Sequence, residues 1–237
     1  GIPASDRLFG LPNFALAGGL NFTGLGEPGS MPNFKIHQVH QYLNNLSWNR
    51  GNHNFKFGTD VRWNRSDIFG GATGHGNLNF NGNYTRISFG DFLLGWPNTA
   101  ALTTFLQGAM RFQNYMFYAL DDWKLTPRLT LNLGIRYELT TPWMEKYNNI
   151  NRLELGAGSD FGSIVYAGAG GCSSWSCRGL VNTDTNNWAP RIGLAYQLTG
   201  KTILRLSSGM FYGGQGSLGA DGRGINNWPY NRSVTAQ

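Results

Sequence analysis

The run Tyr118-Ala-Leu-Asp-Asp-Trp-Lys-Leu-Thr-Pro-Arg-Leu-Thr-Leu-Asn-Leu-Gly-Ile-Arg-Tyr-Glu138 constrains the fold more than any other part of the chain. After Pro127-Arg128 it alternates strictly. Leu129, Leu131, Leu133, Ile135 and Tyr137 fall on one face, and Thr130, Asn132, Gly134, Arg136 and Glu138 on the other. A two-residue period held for about ten residues has the length and pattern of a strand that crosses a membrane as part of a closed barrel. The preceding strand runs to Asp121-Asp122-Trp123-Lys124-Leu125, and only Thr126-Pro127-Arg128 separates the two. The predicted unit is an antiparallel hairpin with one apolar and one polar face, closed by a very tight turn.

Two further hairpins repeat the pattern. In His53 to Trp63, Phe55, Phe57, Val61 and Trp63 share one face, while Lys56, Asp60 and Arg62 share the other; Asn49-Arg50-Gly51-Asn52 supplies the turn before them. In Trp188 to Leu198, Pro190, Ile192, Leu194, Tyr196 and Leu198 oppose Arg191, Gly193, Ala195 and Gln197, and Thr199-Gly200-Lys201 leads into a strand over 202–212. The turns at 50–52, 126–128 and 199–201 are short, whereas 64–77, 140–187 and 213–237 are long. Up-and-down membrane barrels segregate loop lengths by side in this way. Keeping the short turns on one side requires an even number of crossings between them, so 78–86 and 99–107 are read as two barrel strands. The segment Ser88–Pro97 fits neither period and reads as a short helical turn or a bent strand. The expected organisation is a loop-rich opening segment at 1–32, antiparallel β-barrel strands over 33–213 with a long outer loop at 140–187, and a Gly/Asn-rich outer loop at 214–237. The expected fold class is all-β: an antiparallel, up-and-down transmembrane β-barrel segment forming part of a larger barrel.

Composition agrees. Only 14% of the 237 residues are charged, against roughly 25% in ordinary globular domains. A surface facing lipid accounts for that deficit, because charge is costly there and apolar side chains are not. A soluble, Gly-rich β-sandwich with aromatic binding faces is the competing explanation. No stretch approaches the roughly 20 apolar residues of a membrane-spanning helix. The net charge of +6 is scattered singly along the chain, without the basic patch that marks nucleic-acid binding. The chain opens at Gly1-Ile2-Pro3 without a charged-then-apolar leader, as expected of an internal piece or of a chain from which a leader was removed.

Residues able to carry chemistry are few. His37 and His40 are three apart, which on a strand puts them on opposite faces, so no shared metal is expected there. Asp121 and Asp122 also point to opposite faces; the expectation is one carboxylate in the lumen and the other near the turn, close to Lys124 and Arg128. No nucleophile elbow, P-loop, zinc-protease helix or dinucleotide fingerprint is present, and Gly213–Gly219 reads as a loop rather than a phosphate cradle. Neither enzymatic activity, nor a metal, nor a cofactor is expected. Cys172 and Cys177, separated by four residues in a Gly/Ser-rich loop, read as a local disulfide. Trp175 between them is a candidate ligand contact at a loop tip, or else packs on its neighbours. Tyr115, Trp123, Tyr137, Trp143, Trp188, Tyr196 and Tyr212 fall near inferred strand ends, as interfacial girdles do; sugar stacking is the alternative. Alternation makes Lys56, Asp60, Arg62, Asn132, Arg136, Glu138, Arg191, Gln197 and Arg205 the candidates for a lumen-facing polar set. The plainer reading of the same residues is the solvated face of a sheet.

The runs "DDWKLTPRLTLNLGIRYE" at 121–138, "HNFKFGTDVRW" at 53–63, "GDFLLGWP" at 90–97 and "WAPRIGLAYQLTGKTILRLSSGMFY" at 188–212 resemble the barrel region of TonB-dependent outer-membrane receptors. The similarity is to the Oar-like group with a carboxypeptidase-regulatory-like N-terminal domain, and it spans most of the chain in order. The resemblance implies a 22-stranded barrel, a plug domain in its lumen, and uptake driven through TonB by the inner-membrane proton gradient. It also implies the partners: outer-membrane lipid, an unknown ligand, and the TonB system, contacted through receptor parts that these residues do not match. An interior slice of such a barrel, serving ligand uptake, is therefore the leading expectation. A carbohydrate-binding β-sandwich and a hydrolase with a dispersed active site compete with it. In a sandwich the apolar face packs inside, which separates the first two.

Overall fold

A computed structural model describes residues 10–17, 23–71, 73–155, 162–213, 230 and 232–236. In chain order its elements are β1 (Asn13–Leu16), β2 (Phe34–Arg50), β3 (His53–Gly70), β4 (Asn77–Phe80), α1 (Ser88–Leu94), β5 (Thr99–Thr103), β6 (Leu106–Thr126) and β7 (Leu129–Thr140). These are followed by β8 (Met144–Glu145), β9 (Asn151–Glu154), β10 (Ser163–Tyr166), a 3₁₀ turn (Ala169–Gly171), α2 (Trp175–Gly179), β11 (Trp188–Thr199), β12 (Thr202–Gly209) and β13 (Ser233–Ala236).

Six long strands form one antiparallel meander in the order β2-β3-β6-β7-β11-β12, each hydrogen-bonded to the next, with β8 added alongside β6. The three tight turns lie at one end of the meander. Gly51 stands at φ +58 in the first, a left-handed conformation that glycine adopts without steric cost. In the other two, register shifts at Lys124/Thr126 and Gln197/Thr199 mark bulges beside the turns. Within the sheet Gly58 serves close approach instead. A Cβ there would lie 2.2 Å from the Tyr118 ring, so the missing side chain lets that ring lie across the face.

Cross-strand partners share a face, so the registers extend the alternation across the whole sheet. On one face Trp48, Phe55, Phe57, Leu133, Ile135 and Ile192 lie at least partly exposed. The buried hydrophobics of the six strands, Ile68, Met110 and Ala189, all lie on the opposite face. Among the described residues no strand lies over the apolar face, and α2 reaches it through Trp175, which stacks on Tyr115 toward the end away from the tight turns. A soluble sandwich would show the reverse arrangement, with that face forming its core.

The core sits instead at the end away from the tight turns. Ile150, Ala167 and Leu180 from the β7–β11 connection pack on Ile68 and Met110, with Leu106, Trp143 and Val165 around them. A separate four-stranded sheet has the order β1-β4-β5-β13, with β1 and β4 parallel. Phe92 of α1 packs edge-on against Phe14 and Phe80 beside it.

Several expectations change here. The segments read as barrel strands at 78–86 and 99–107 are the short β4 and β5 of this second sheet, not crossings. The parity argument is met by no intervening crossing, because β3 and β6 are direct neighbours. The stretch from 64 read as loop continues as strand to Gly70, and the strand that runs through Leu125 begins as far back as Leu106. Polar residues on both faces there, such as Asn64, Arg65 and Asp67, erase the alternation, yet ladder hydrogen bonds from β2 and β6 hold the backbone extended. The opening segment 1–32 contains β1, and the closing segment 214–237 contains β13. Residues 214–229, with most of the Gly213–Gly219 run, lie outside the described residues.

Candidate functional site

The registers bring all nine candidate polar residues to one face. Lys56, Asp60 and Arg62 of β3 pair with Leu120, Met116 and Asn114 of β6, and these pair onward with Gly134, Glu138 and Thr140 of β7. On β7, Asn132, Gly134 and Arg136 face Gly193, Arg191 and Ala189 of β11. Ala195 and Gln197 face Arg205 and Ile203 of β12. The face is not uniformly polar: Val39, Leu43, Leu120 and Ile203 also stand on it.

Most of its charges are paired across strands or along them. Lys56 Nζ donates to Asp122 at 2.9 Å, and the other Asp122 oxygen accepts from the Asn132 amide at 2.5 Å. Asp60 accepts from both Arg62 (2.5 and 3.0 Å) and Gln41 (3.0 Å). Arg136 meets Glu138 at 2.6 Å. Amides continue the lattice: Asn64 donates to Asn114 and Asn114 to Thr140, while the Tyr118 hydroxyl donates to Asn45 at 2.6 Å. Gln41, Asn45, Asn64, Asn114, Tyr118 and Thr140 join the polar set and escape a reading of each strand alone, while Asp122 is the member of the carboxylate pair that faces this lattice. Register, which a single strand does not reveal, is the signal that finds them.

The β11–β12 end differs. Among the described residues, Arg191 and Arg205 have no carboxylate within ion-pair distance. Arg191 lies over the Phe211 ring at 4.7 Å, and a groove of about 720 Å³ runs between it, Asp122, Asn132 and Arg205. Among the described residues, the positive charge at this end of the face is not paired with a carboxylate.

The adjacent carboxylates separate as strand geometry requires, but Asp121 goes elsewhere than expected. It meets His53 across β3–β6 at 2.7 Å, not Lys124 or Arg128. His37 and His40 fall on opposite faces, opposite Ser66 and Trp63. Among the described residues no group of three or more metal-ligating side chains assembles.

Cys172 and Cys177 are joined as a disulfide with Cα atoms 6.3 Å apart, within the usual span. Ser174 caps α2 by accepting from the Cys177 N–H, and the half-buried Trp175 ring stacks on Tyr115 at 6.1 Å. Arg178 fastens α2 to the Asn148 side chain and to the carbonyls of Glu145 and Lys146. Of the strand-end aromatics, Trp143 belongs to the outer core, 4.0 Å from Phe112, and not to a girdle. Tyr137 and Trp188 pack with ring centroids 4.6 Å apart and planes tilted by 43° on the apolar face, and Trp123 lies beside the tight turns.

An antiparallel meander that exposes its apolar face and buries side chains on its polar one is the wall of a membrane β-barrel. Comparison with known families agrees: the family described as Outer membrane beta barrel domain matches residues 1–237, and the chain belongs to it. It is a protein of the bacterial outer membrane. No curated protein matches, and no solved structure does.

Proposed function

We propose that this sheet is part of the wall of a TonB-dependent receptor, with its polar face toward the lumen, its tight turns toward the periplasm, and ligand uptake rather than catalysis as its work. The observation that carries the reading is the inverted burial: Ile68, Met110 and Ala189 are covered on the polar face while Leu133, Ile135 and Ile192 stay open on the other. Lipid is the solvent that makes such an arrangement stable. The resemblance of residues 53–63, 90–97, 121–138 and 188–212 to these receptors supplies the finer step to TonB.

In this reading Lys56, Asp60, Arg62, Asn132, Arg136, Glu138 and Gln197 form a cross-linked polar lining, and Arg191 and Arg205 offer charge to an anionic group of a plug or a passing solute. The β7–β11 connection, packed over the far end of the same face, narrows the outer mouth. The test is retention of the protein, extracted from its own outer membrane, on the immobilised periplasmic domain of TonB. Retention that rises when solutes from the growth medium are added supports uptake. No retention under any condition reduces the reading to a barrel without TonB coupling.

A further inference from the structure

Beside the β2–β3 turn the apolar face carries a cluster that the lining does not use. Phe57, Phe55, His53 and Trp123 stack in succession, with centroids 6.3, 5.3 and 5.1 Å apart and interplanar angles of 17°, 3° and 16°. Trp48 leans on Phe55 at 5.6 Å, and the Arg50 guanidinium lies 5.7 Å from the Trp48 ring. A cavity of about 580 Å³ opens among Trp48, Arg50, Asn52, His53, Phe55 and Trp123. His53 is held from behind by Asp121, whose carboxylate lies 2.7 Å from its Nδ1. Among the described residues Arg50 has no carboxylate within ion-pair distance.

We propose that this cluster is a binding site for a glycerophospholipid, with the headgroup phosphate on Arg50 and Asn52. The acyl chains lie along the stacked rings toward Leu46 and Phe57. The proposal rests on the reading of this face as lipid-facing and adds a specific occupant to it. From the turn to the rank of Phe57, the order of chemistry matches the headgroup and the upper part of the chains of such a lipid. The cation and amide stand at the turn, where phosphates lie. The stacked rings follow at the depth of the glycerol, with Leu46, Ala119 and Ile135 in the rank of Phe57, and Thr59, Val61 and Tyr42 beyond it. A guanidinium at the rim of an apolar band is stabilised by an anion that brings its own apolar tail, and a phosphodiester accepts its paired N–H donors. The Asp121–His53 pair keeps the ring sequence flat, so the platform is preformed.

The experiment is native mass spectrometry of the full-length protein, purified from membranes in detergent and stripped of lipid. Phosphatidylglycerol and diacylglycerol of the same chains are then added separately. Phosphatidylglycerol is expected to be retained and diacylglycerol not. Arg50→Gln is expected to lower retention about tenfold, the loss of one charge-assisted contact, and Arg50→Lys, which keeps the charge but not the paired donors, to fall between that and the wild type. Equal retention by Arg50→Gln, equal retention of diacylglycerol, or displacement by millimolar inorganic phosphate each overturns the site. A Leu133→Cys variant in membranes separates the two readings. If the thiol is shielded from a membrane-impermeant maleimide while Arg50 proves irrelevant, the lipid face stands and only the site falls. If the thiol is labelled, the lipid face itself fails.

Discussion

Leu133 and Asn132 are neighbours in sequence and opposites in environment. Asn132 bonds Asp122 within the polar lattice, while Leu133 is 40% exposed with only its strand neighbours beside it. Leu133→Arg is expected to impair insertion, by less than the roughly 2–4 kcal/mol of a mid-depth charge because Leu133 shares its rank with Asp121 and Phe55 near the turns; Asn132→Arg is expected to insert normally. Fractionation of outer membranes checks both, and normal insertion of Leu133→Arg would reverse the facing. Asp91 makes a second case, in the β3–β6 connection outside the long strands. Burial pushes its pKa up, but the Thr85 hydroxyl and the N–H groups of Thr85, Tyr84 and Gly82 outweigh that and hold it below the ordinary carboxylate value. A lowered folded pKa contributes stability that is complete above the unfolded value and is lost as pH falls through the folded one. Amides of residues 82–96 are therefore expected to lose hydrogen-exchange protection below about pH 4, and Asp91→Asn to remove that dependence. A pH-independent wild type would contradict it.

At the scale of elements, the sequence announces strands where one face is apolar and hides them where neither is. The alternation of β7 and β11 is legible because lipid demands it of each residue. The far half of β3 is not, since Asn64 to Asp67 owe their extension to partners on both sides. The sheet of β1, β4, β5 and β13 is illegible for another reason. Its strands have four or five residues, two of them run parallel, and pairing distant short segments leaves no local period. The β7–β11 connection likewise hid its anchor, the buried Glu145, whose carboxylate accepts from the N–H groups of Ala109, Tyr147 and Asn149 at 3.0, 2.6 and 2.9 Å. Glu145→Ala strands those donors and is expected to loosen the connection by roughly 1–3 kcal/mol. Limited proteolysis checks this: cleavage within 146–187 should accelerate while the long strands stay resistant, and unchanged cleavage would show that Arg178 and the outer core suffice.

For the whole molecule, inverted burial predicts behaviour in solution. The purified protein is expected to require detergent and, once folded, to migrate differently on a gel before and after boiling. A monodisperse, detergent-free monomer would mean that its apolar face is covered by something the described residues do not include. The two outermost strands of the meander, β2 and β12, carry a further consequence. Along each, every second residue turns its amide and carbonyl away from the sheet. In hydrocarbon there is no water to receive those groups, and each left alone costs several kcal/mol. The wall therefore cannot enter the membrane strand by strand at equilibrium. In the membrane each of these two edges is stable only with a further strand beside it, so β2 and β12 are where the wall has to be continued.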